Sequence, residues 1–395
     1  MEYKEIDINL TSEQKALGDM VRRFGAEVMR PIGIELDQLP RPEDVIADGS
    51  PLWEAIKKYR ELGLHTMAIP KALGGMKEDL DAMSIFLIWE ELGYADIGLT
   101  NCFYAGSIPF YIAALSSNPE LQKMVRDYCE DLEGNIIGCW AITEPDHGSD
   151  WVITDGVPRY SPSVRGILKG DEYIINGAKS EWVSNGTIAT HAMIHICLDP
   201  SKGMEEHGVM ITSLDRAGIS RGKPLNKMGQ RSLNQGSIIF EDVHIPKDFM
   251  IQAPRLDTAV RSATVFGGVA KAAFDEALRY SKVRIQGGVP IFEHKNVKMR
   301  LIGMFKMVEA ARASARRIAM YNAANPLSPS IPHGVAAKCL SSETASAVAN
   351  EAIQIFGAYG LTKEYVIEKL YRDARAGMIE GGSNDALSLR AASFL

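Results

Sequence analysis

Residues 140–150 read Trp-Ala-Ile-Thr-Glu-Pro-Asp-His-Gly-Ser-Asp and stand just after the point where the periodicity of the sequence changes. Before Asn135, apolar residues recur at helical spacing, whereas after it short β-prone runs alternate with turn-forming residues. The stretch ends the first β-prone run with a turn that carries hydroxyl groups beside an aromatic residue. It therefore predicts that the chain passes here from a helical domain into a β domain.

Helical patterns flank the β domain on both sides. A capping box at Thr11–Gln14 opens an amphipathic helix that is predicted to end at Pro31. Further helices are predicted at residues 52–64, 80–92, 103–115, 258–284, 293–324 and 333–356. Strands are predicted at residues 136–143, 173–175, 191–198, 209–213 and 237–245. We therefore predict an α+β protein with an N-terminal all-α domain (1–134), a middle antiparallel β-barrel or sandwich domain (135–250) and a C-terminal helical bundle domain (251–395).

The composition is that of a globular protein. With 395 residues, of which 46% are hydrophobic and 24% charged, the chain is long enough for two or three domains. A formal net charge of -7 argues against a nucleic-acid partner, which would need a basic face. No apolar run is long enough for a membrane span, and no signal or transit peptide is recognisable. Five cysteines without a C-x-x-C pair fit a reducing compartment, so the cytoplasm is the predicted location.

A carboxylate near the C-terminus is a candidate general base. Glu380 follows an arginine-rich segment and precedes Gly381 and Gly382, which release the backbone from helical geometry. A carboxylate on such a loop can approach a bound molecule closely, although most glutamates at helix ends are simply solvated. The motifs of Rossmann dinucleotide sites, P-loops, zinc hydrolases and α/β-hydrolases are absent. The sequence therefore disfavours those chemistries and predicts no metal site.

A second aromatic turn, Trp182–Gly186, has a composition similar to that of Thr143–Asp150. Aromatic faces, hydroxyl groups and backbone N–H groups together suit a flat ring system with a polar edge. The alternative is that both segments are ordinary turns, each with a core tryptophan. The residue types alone do not separate the two interpretations.

The sequence resembles the acyl-CoA dehydrogenase family over nearly its whole length. The matching motifs stand in the family's order at Thr143–Asp150, Trp182–Gly186, Arg284–Ile291, Gln354–Gly360 and Arg372–Gly381. The resemblance implies the acyl-CoA dehydrogenase fold, with a four-helix bundle as the C-terminal domain. It also implies an FAD cofactor, an acyl-CoA substrate, an electron-transfer flavoprotein as electron acceptor, and a homotetramer.

The resemblance further implies roles for individual residues. Glu380 falls on the position of the catalytic base, which removes the α-proton of the thioester while a hydride leaves the β-carbon for flavin N5. Arg284 and residues 354–358 would reach the FAD of a neighbouring subunit. The positions that would contact FAD are Trp140, Ile142, Thr143, Ser149, Trp182, Ser184, Arg284, Gln354, Gly357, Ala358, Gly382 and Asn384. The positions that would contact the substrate are Asn101, Tyr104, Ser149, Ile379 and Gly381.

Several positions depart from the family's usual pattern. Gly287 and Lys295 replace a phenylalanine and a glutamine, and Ala259 replaces an arginine that holds CoA in many members. The arginines nearest to Ala259 in the sequence are Arg255 and Arg261. An alternative base position of the family aligns with Thr258, and Asp257 is its neighbour.

The expected substrate and two alternative functions follow from these positions. Asn101 and Tyr104 are more polar or bulkier than a long alkyl chain needs, so we expect a short, branched or cyclic acyl group; alternatively, Phe103 and Tyr104 simply pack the helical domain. One alternative function is an oxidase of the same fold. The other is a non-catalytic subunit of a hetero-oligomeric dehydrogenase.

Overall fold

The N-terminal third of the computed structural model is helical. The structure describes residues 6, 9–152, 161–203, 207–251 and 258–395. The helices of the first third are α1 (Ser12–Phe24), α2 (Arg30–Gln38), α3 (Pro51–Glu61), α4 (Ala82–Ala95), α5 (Ile97–Ala113) and α6 (Pro119–Glu130). The helices predicted at 52–64, 80–92 and 103–115 are confirmed as α3, α4 and α5, with shifted ends. Most residues of α4 and α5 are buried, so these two helices form the inner layer.

The first helix confirms the predicted capping box but not its predicted end. The Thr11 hydroxyl accepts a hydrogen bond from the Gln14 N–H at 3.2 Å, and Gln14 Oε1 accepts one from the Thr11 N–H at 3.0 Å. The prediction that helical structure ends at Pro31 is wrong, because a π-helical turn at Gly25–Met29 carries the chain into α2. Pro31 lies in the first turn of α2, where its missing N–H is tolerated.

The middle part is built on one eight-stranded sheet. Its strands within the described ranges are β1 (Gly138–Ala141), β2 (Arg165–Lys169), β3 (Glu172–Lys179), β4 (His191–Cys197), β5 (His207–Ser213), β6 (Ile219–Arg221), β7 (Ile238–Pro246) and β8 (Met250–Ile251). They follow the order β6-β7-β3-β2-β4-β5-β8, and β1 pairs with β4 outside this path. The pairs β3–β7 and β4–β5 are antiparallel as predicted.

Two parallel pairings with β4 correct the prediction of a purely antiparallel domain, one with β1 and one with β2, where Arg165 lies opposite Cys197. β1 runs parallel to β4, with Gly138 opposite His191. Parallel pairing requires a long crossover, which the segment containing β2 and β3 supplies. The sequence pattern did not indicate β2, β6 or β8, because runs this short contain too few alternating residues.

Long helices return in the C-terminal part. They are α7 (Ala259–Val283), α8 (Lys295–Ala324), α9 (Ile331–Phe356), α10 (Ile367–Ala376) and α11 (Asn384–Ala392), with a hairpin of β9 (Ile285–Gln286) and β10 (Val289–Pro290) between α7 and α8. Helices α7 to α10 pack against one another, in agreement with the predicted bundle. None of the helices in the described ranges is long and apolar enough to span a lipid bilayer.

Two hydrophobic cores meet at the centre of the molecule. One core joins the N-terminal and C-terminal helices and includes Leu92, Phe266 and Val348. The other joins the β domain to helices of the N-terminal part and includes Phe110, Ile194 and Phe240. Loops from both parts line the boundary between the cores, and the candidate site lies there.

Candidate active site

Glu380 lies on the loop that joins α10 to α11. Its N–H donates to the carbonyl of Ala376 at 2.9 Å, which completes the last helical turn. Gly381 and Gly382 then reverse the chain with φ values of 66° and 94°, which glycine adopts without strain. A Cβ atom at Gly381 would lie 3.4 Å from the Ser262 hydroxyl, so the loop rests against the first turns of α7. The structure thus has Glu380 on a helix-terminal loop, as the sequence predicts.

Two amide side chains hold the Glu380 carboxylate. Asn101 Nδ2 donates to Oε1 at 3.0 Å, and Gln230 Nε2 donates to Oε2 at 2.8 Å. The two amides also bond to each other, because Asn101 Nδ2 lies 3.0 Å from Gln230 Oε1. Asn101 comes from α5 and Gln230 from the segment between β6 and β7, so both parts of the molecule fix the orientation of the carboxylate. Sequence reasoning identified Asn101 as a site residue and missed Gln230.

Arg261 bonds to Asn101 and stacks on the ring of Tyr104. Arg261 Nη2 donates to Asn101 Oδ1 at 3.1 Å, and its guanidinium carbon lies 3.8 Å from the centre of the Tyr104 ring. Tyr104 in turn packs edge-on against Trp89, with ring centres 5.6 Å apart. Burial lowers the pKa of Arg261, although the charge of Glu380 opposes that shift. This side of the site is therefore aromatic, polar and cationic rather than purely apolar.

A buried ion cluster stabilises the segments that carry Gln230 and Asn101. Lys369 Nζ lies 2.5 Å from Asp96 Oδ2 and 2.6 Å from Asp373 Oδ2. Asp373 also accepts the backbone N–H of Gln230. Burial alone would lower the pKa of Lys369, but the charges of Asp373 and Asp96 outweigh it and leave that pKa above its ordinary value. Since Asp96 caps α5, Asp373 belongs to α10 and Gln230 lies between β6 and β7, the cluster ties these three parts of the chain together.

Arg372 forms a second set of contacts that stabilises the segment before Gln230. Its guanidinium pairs with Asp37 Oδ2 at 2.6 Å and with Glu368 Oε2 at 2.7 Å, and it donates to the Met228 carbonyl at 2.8 Å. A Cβ atom at Gly229 would lie 2.4 Å from the Arg372 carbonyl, so only glycine permits this approach. The arginine and aspartate of the Arg372–Gly381 motif thus position the loop around Gln230.

The turn at Thr143–Asp150 is anchored by a buried ion pair. Glu144 Oε1 lies 2.7 Å from Lys179 Nζ, and both side chains are fully buried. Glu144 also accepts the backbone N–H groups of Ser163 and, at 3.2 Å, Val164. Burial lowers the pKa of Lys179 to about 8. Glu144 is therefore a structural residue that fixes the shape of the turn.

The Thr143–Asp150 turn contacts the Glu380 loop, and the Trp182–Gly186 turn contacts α5. The Ser149 hydroxyl accepts the N–H of Ser383 at 3.1 Å, which joins the first turn to the loop. In the second turn, Asn185 has a φ of 63° and donates to the carbonyl of Cys102 at 2.9 Å. Cys102 follows Asn101 in α5, so the second turn packs against the helix that carries one of the two amides holding Glu380.

Lys227 connects the second turn to the base. Gln235 donates to the carbonyl of Trp182 at 3.0 Å and accepts a hydrogen bond from Lys227 Nζ at 2.8 Å. Burial lowers the pKa of Lys227 to about 8, against the opposing effect of the Glu380 charge. No motif in the sequence indicated this lysine. The side chain of Trp182 is 57% exposed and presents an aromatic face beside Ser184.

The remaining predicted cofactor positions fall into two groups. Near the turns, Trp140 Nε1 donates to His195 Nε2 at 2.9 Å, and the Ile142 carbonyl accepts a hydrogen bond from Lys179 at 3.1 Å. The side chain of Asn384 points inward, where its oxygen accepts from Lys338 at 2.7 Å. Lys338 also donates to the Gly382 carbonyl at 2.8 Å.

The second group lies far from Glu380 within one chain. It consists of four exposed residues, Arg284, Gln354, Gly357 and Ala358. Arg284 follows α7, whose 25 residues span about 37 Å at the rise of an α-helix. Its guanidinium carbon lies 5.5 Å from the centre of the Tyr359 ring, so Arg284 and the Gly357–Leu361 turn form one surface. Of the other candidates, Arg255 and Asp257 lie outside the described residues, Thr258 precedes α7 and Ala259 is buried.

The sequence matches three family models in chain order. Their descriptions are Acyl-CoA dehydrogenase, N-terminal domain, at residues 11–130; Acyl-CoA dehydrogenase, middle domain, at residues 139–243; and Acyl-CoA dehydrogenase, C-terminal domain, at residues 255–394.

Known relatives and solved structures are similar over almost the whole chain. The mitochondrial short-chain specific acyl-CoA dehydrogenase of Homo sapiens is 30% identical over 356 residues, which cover 86% of this chain and 82% of that protein. Cyclohex-1-ene-1-carbonyl-CoA dehydrogenase of Geobacter metallireducens is 28% identical, with 95% and 96% covered. The structure of butyryl-CoA dehydrogenase from Megasphaera elsdenii matches with a TM-score of 0.84 at 26% identity and covers 98% of this chain and 99% of that one.

Proposed function

The chain belongs to the acyl-CoA dehydrogenase family of oxidoreductases, and from that premise we propose that it is an FAD-dependent enzyme that dehydrogenates a short acyl-CoA between its α- and β-carbons. Glu380 is the proposed base. The observation that carries this proposal is the Glu380 carboxylate itself, which lies where α5, the Gln230 segment and the Thr143–Asp150 turn converge. A carboxylate fixed at such a junction is suited to proton abstraction.

The amide groups around Glu380 explain how the chain would control the proton. The α-proton of the thioester passes to one carboxylate oxygen, while an amide donor keeps the other oxygen in place. Asn101 and Gln230 each donate to one oxygen, so either oxygen can receive the proton without rotation of the carboxylate. The Glu380 N–H bonds to Ala376 here, so it must exchange that partner before it can polarise a thioester carbonyl.

The β-domain turns fit a flavin. The exposed indole of Trp182 offers a face for a flat ring, and the hydroxyls of Thr143, Ser149 and Ser184 offer partners for a polar edge. These residues, with Trp140 and Ile142, would hold the ring beside the Glu380 loop. Bound FAD supplies the acceptor, at N5, for the hydride that leaves the β-carbon.

The exposed surface around Arg284 supports a proposed homotetramer. Large apolar side chains are exposed near it, namely Val283, Ile285, Val289 and Leu361. Exposed apolar patches of this kind mark interaction sites. A second subunit on this surface would place its FAD against Arg284, whose planar guanidinium suits a pyrophosphate. The proposed acceptor of electrons is an electron-transfer flavoprotein. The cytoplasm remains the predicted compartment, with all five cysteines free.

Two measurements test the proposal. We expect the purified protein to be yellow, to contain about one FAD per chain and to sediment as a tetramer. Under anaerobic conditions, short acyl-CoAs such as butyryl-CoA should bleach the flavin faster than dodecanoyl-CoA, because Asn101 and Tyr104 shorten the site. Rapid reoxidation of the reduced flavin by oxygen would favour the oxidase, and a flavin that no acyl-CoA bleaches would favour the non-catalytic subunit.

A further inference from the structure

The guanidinium of Arg261 has unused hydrogen-bond donors beside the proposed acyl site. Its Nε and Nη1 atoms are buried and have no hydrogen-bond partner in the described part of the chain. Its remaining nitrogen, Nη2, donates to Asn101 Oδ1 at 3.1 Å. The ring of Tyr104 covers one face of the guanidinium at 3.8 Å. Arg261 therefore keeps two buried donors without an acceptor, and it is bonded to Asn101, which itself holds the Glu380 carboxylate.

The positive charge of Arg261 also lacks a contacting carboxylate among the residues described. The charge of Glu380 acts on Arg261, but the two carboxylate oxygens of Glu380 are bonded to Asn101 and Gln230. Buried charges in proteins are normally paired, and buried donors normally have acceptors. An arginine with neither is a common feature of sites that bind an anionic ligand, since the ligand provides both.

We propose that the acyl group of the substrate ends in a second carboxylate and that Arg261 binds it, so that the substrate is a short dicarboxylic acid held as its mono-CoA thioester. This inference rests on the proposed function. The length follows from the geometry, because only the Asn101 amide separates the guanidinium from Glu380. The base must reach the α-carbon, so a carboxylate on Arg261 can be only a few carbons further along the chain.

An apolar acyl group fits these residues less well. It would leave the Nε and Nη1 donors of Arg261 buried without an acceptor. A hydroxyl or keto group would satisfy one donor but would leave the charge unpaired. A carboxylate can accept from two guanidinium nitrogens at once and neutralise the charge. The stacked Tyr104 ring then fixes the plane in which the carboxylate must lie.

Binding can be measured separately from chemistry. Glu380→Gln is expected to keep FAD and to bind acyl-CoA without reduction, so the perturbation of its flavin spectrum gives a dissociation constant. The ligands are glutaryl-CoA and pentanoyl-CoA, which have the same number of acyl carbons and differ in the terminal carboxylate. We expect glutaryl-CoA to bind at least ~10²-fold more tightly, because a site built for a polar group rejects the analogue that lacks it.

Arg261→Met and Arg261→Lys, each combined with Glu380→Gln, identify the source of that preference. The methionine variant keeps most of the side-chain volume and should favour pentanoyl-CoA, whereas the lysine variant should retain part of the preference for glutaryl-CoA. FAD content checks that each variant is folded. If one is not folded, the comparison of the two thioesters on unmodified Arg261 still decides the matter.

The outcomes separate this inference from the function on which it rests. Equal or tighter binding of pentanoyl-CoA, butyryl-CoA or isobutyryl-CoA would overturn the dicarboxylate, and so would a preference that survives in Arg261→Met. Reduction of the otherwise unmodified enzyme by those apolar thioesters would then still support the dehydrogenase. If none of these thioesters, glutaryl-CoA included, perturbs or reduces the flavin, both the dehydrogenase and the dicarboxylate are refuted.

Discussion

The two halves of the candidate site each rest on a buried lysine, but the two lysines have opposite electrostatic surroundings. Lys179, beneath the Thr143–Asp150 turn, has one carboxylate partner, Glu144, at 2.7 Å, and burial lowers its pKa to about 8. Lys369, beneath the Glu380 loop, has two partners, and their charges raise its pKa despite burial. One carboxylate does not offset the desolvation of a buried ammonium here, whereas two carboxylates do.

The partners also differ in how far they lie apart in the chain. Lys179 and Glu144 are 35 residues apart and belong to the same β domain. Lys369 and Asp96 are 273 residues apart and join the C-terminal helices to the start of α5. The side of the site formed by the Thr143–Asp150 turn is therefore stabilised by contacts within one domain. The side of the site that carries Glu380, here called the base side, forms only after the N-terminal and C-terminal helices have packed together. We therefore expect substitutions on the two sides to have different effects.

The largest expected effect is the slower reduction of the flavin in a Glu380 variant that still binds FAD. Glu380→Gln keeps the size of the side chain and much of its hydrogen bonding but cannot accept the α-proton. We expect reduction of the flavin by a short acyl-CoA to slow by at least ~10²-fold, within the usual range for a general base. Stopped-flow absorbance under anaerobic conditions measures this rate, and the visible spectrum of the variant should still show bound FAD.

Glu364→Gln is the matched control, because this glutamate is exposed on the surface before α10. Its rate should equal that of the unmodified enzyme. A near-normal rate in Glu380→Gln would move the base elsewhere, and Asp257→Asn would then be the next variant to prepare.

The second prediction compares the two lysines directly. Lys369→Met leaves two buried carboxylates without their cation and should cost about 3–5 kcal/mol in the free energy of unfolding. Lys179→Met leaves Glu144 with its two backbone N–H donors, so the expected cost is smaller, about 1–3 kcal/mol. Denaturant unfolding followed by circular dichroism measures both values. Lys123→Met, in an exposed pair on α6, should change stability by less than about 1 kcal/mol.

Equal costs for the two buried lysines would contradict the comparison. Equal costs would mean that the second carboxylate of the Lys369 cluster adds nothing to the stability of the protein. A selective loss of FAD from Lys179→Met, with little change in stability, would instead support a role of the Thr143–Asp150 turn in cofactor binding.

Sequence reasoning worked where the signal is local. The order of helical, β and helical parts follows from periodicity, and the structure confirms it together with the capping box at Thr11. The two turns could be recognised because each is a contiguous segment. The loop position of Glu380 was also evident, since Gly381 and Gly382 follow it directly.

The same reasoning failed where contacts join distant residues. Gln230 lies 150 residues from Glu380, and Arg261 lies 160 residues from Asn101. Nothing in the local sequence around Gln230 or Lys369 distinguishes them from ordinary polar residues of a loop or a helix. Pro31 misled the prediction for a related reason, because its effect depends on the π turn before it. The contacts that hold Glu380 therefore form only in the folded protein and cannot be recognised from a local stretch of sequence.

The last prediction concerns pH and follows from the opposite pKa shifts of the two lysines. Lys179 has a pKa of about 8 in the folded protein, below its ordinary value of 10.5. Between these values the unfolded chain holds a proton that the folded chain has lost, so the stability of the protein relative to Lys179→Met rises with pH in that window, by about 3 kcal/mol in all. Lys369 has a raised pKa, so its stabilising contribution is complete below 10.5 and is lost only above it. The difference in unfolding free energy between the protein and Lys369→Met should therefore stay constant from pH 8 to pH 10, while the difference for Lys179→Met grows. Unfolding curves of the three proteins at matched pH values measure both differences, and parallel slopes would show that one carboxylate holds its lysine charged as firmly as two.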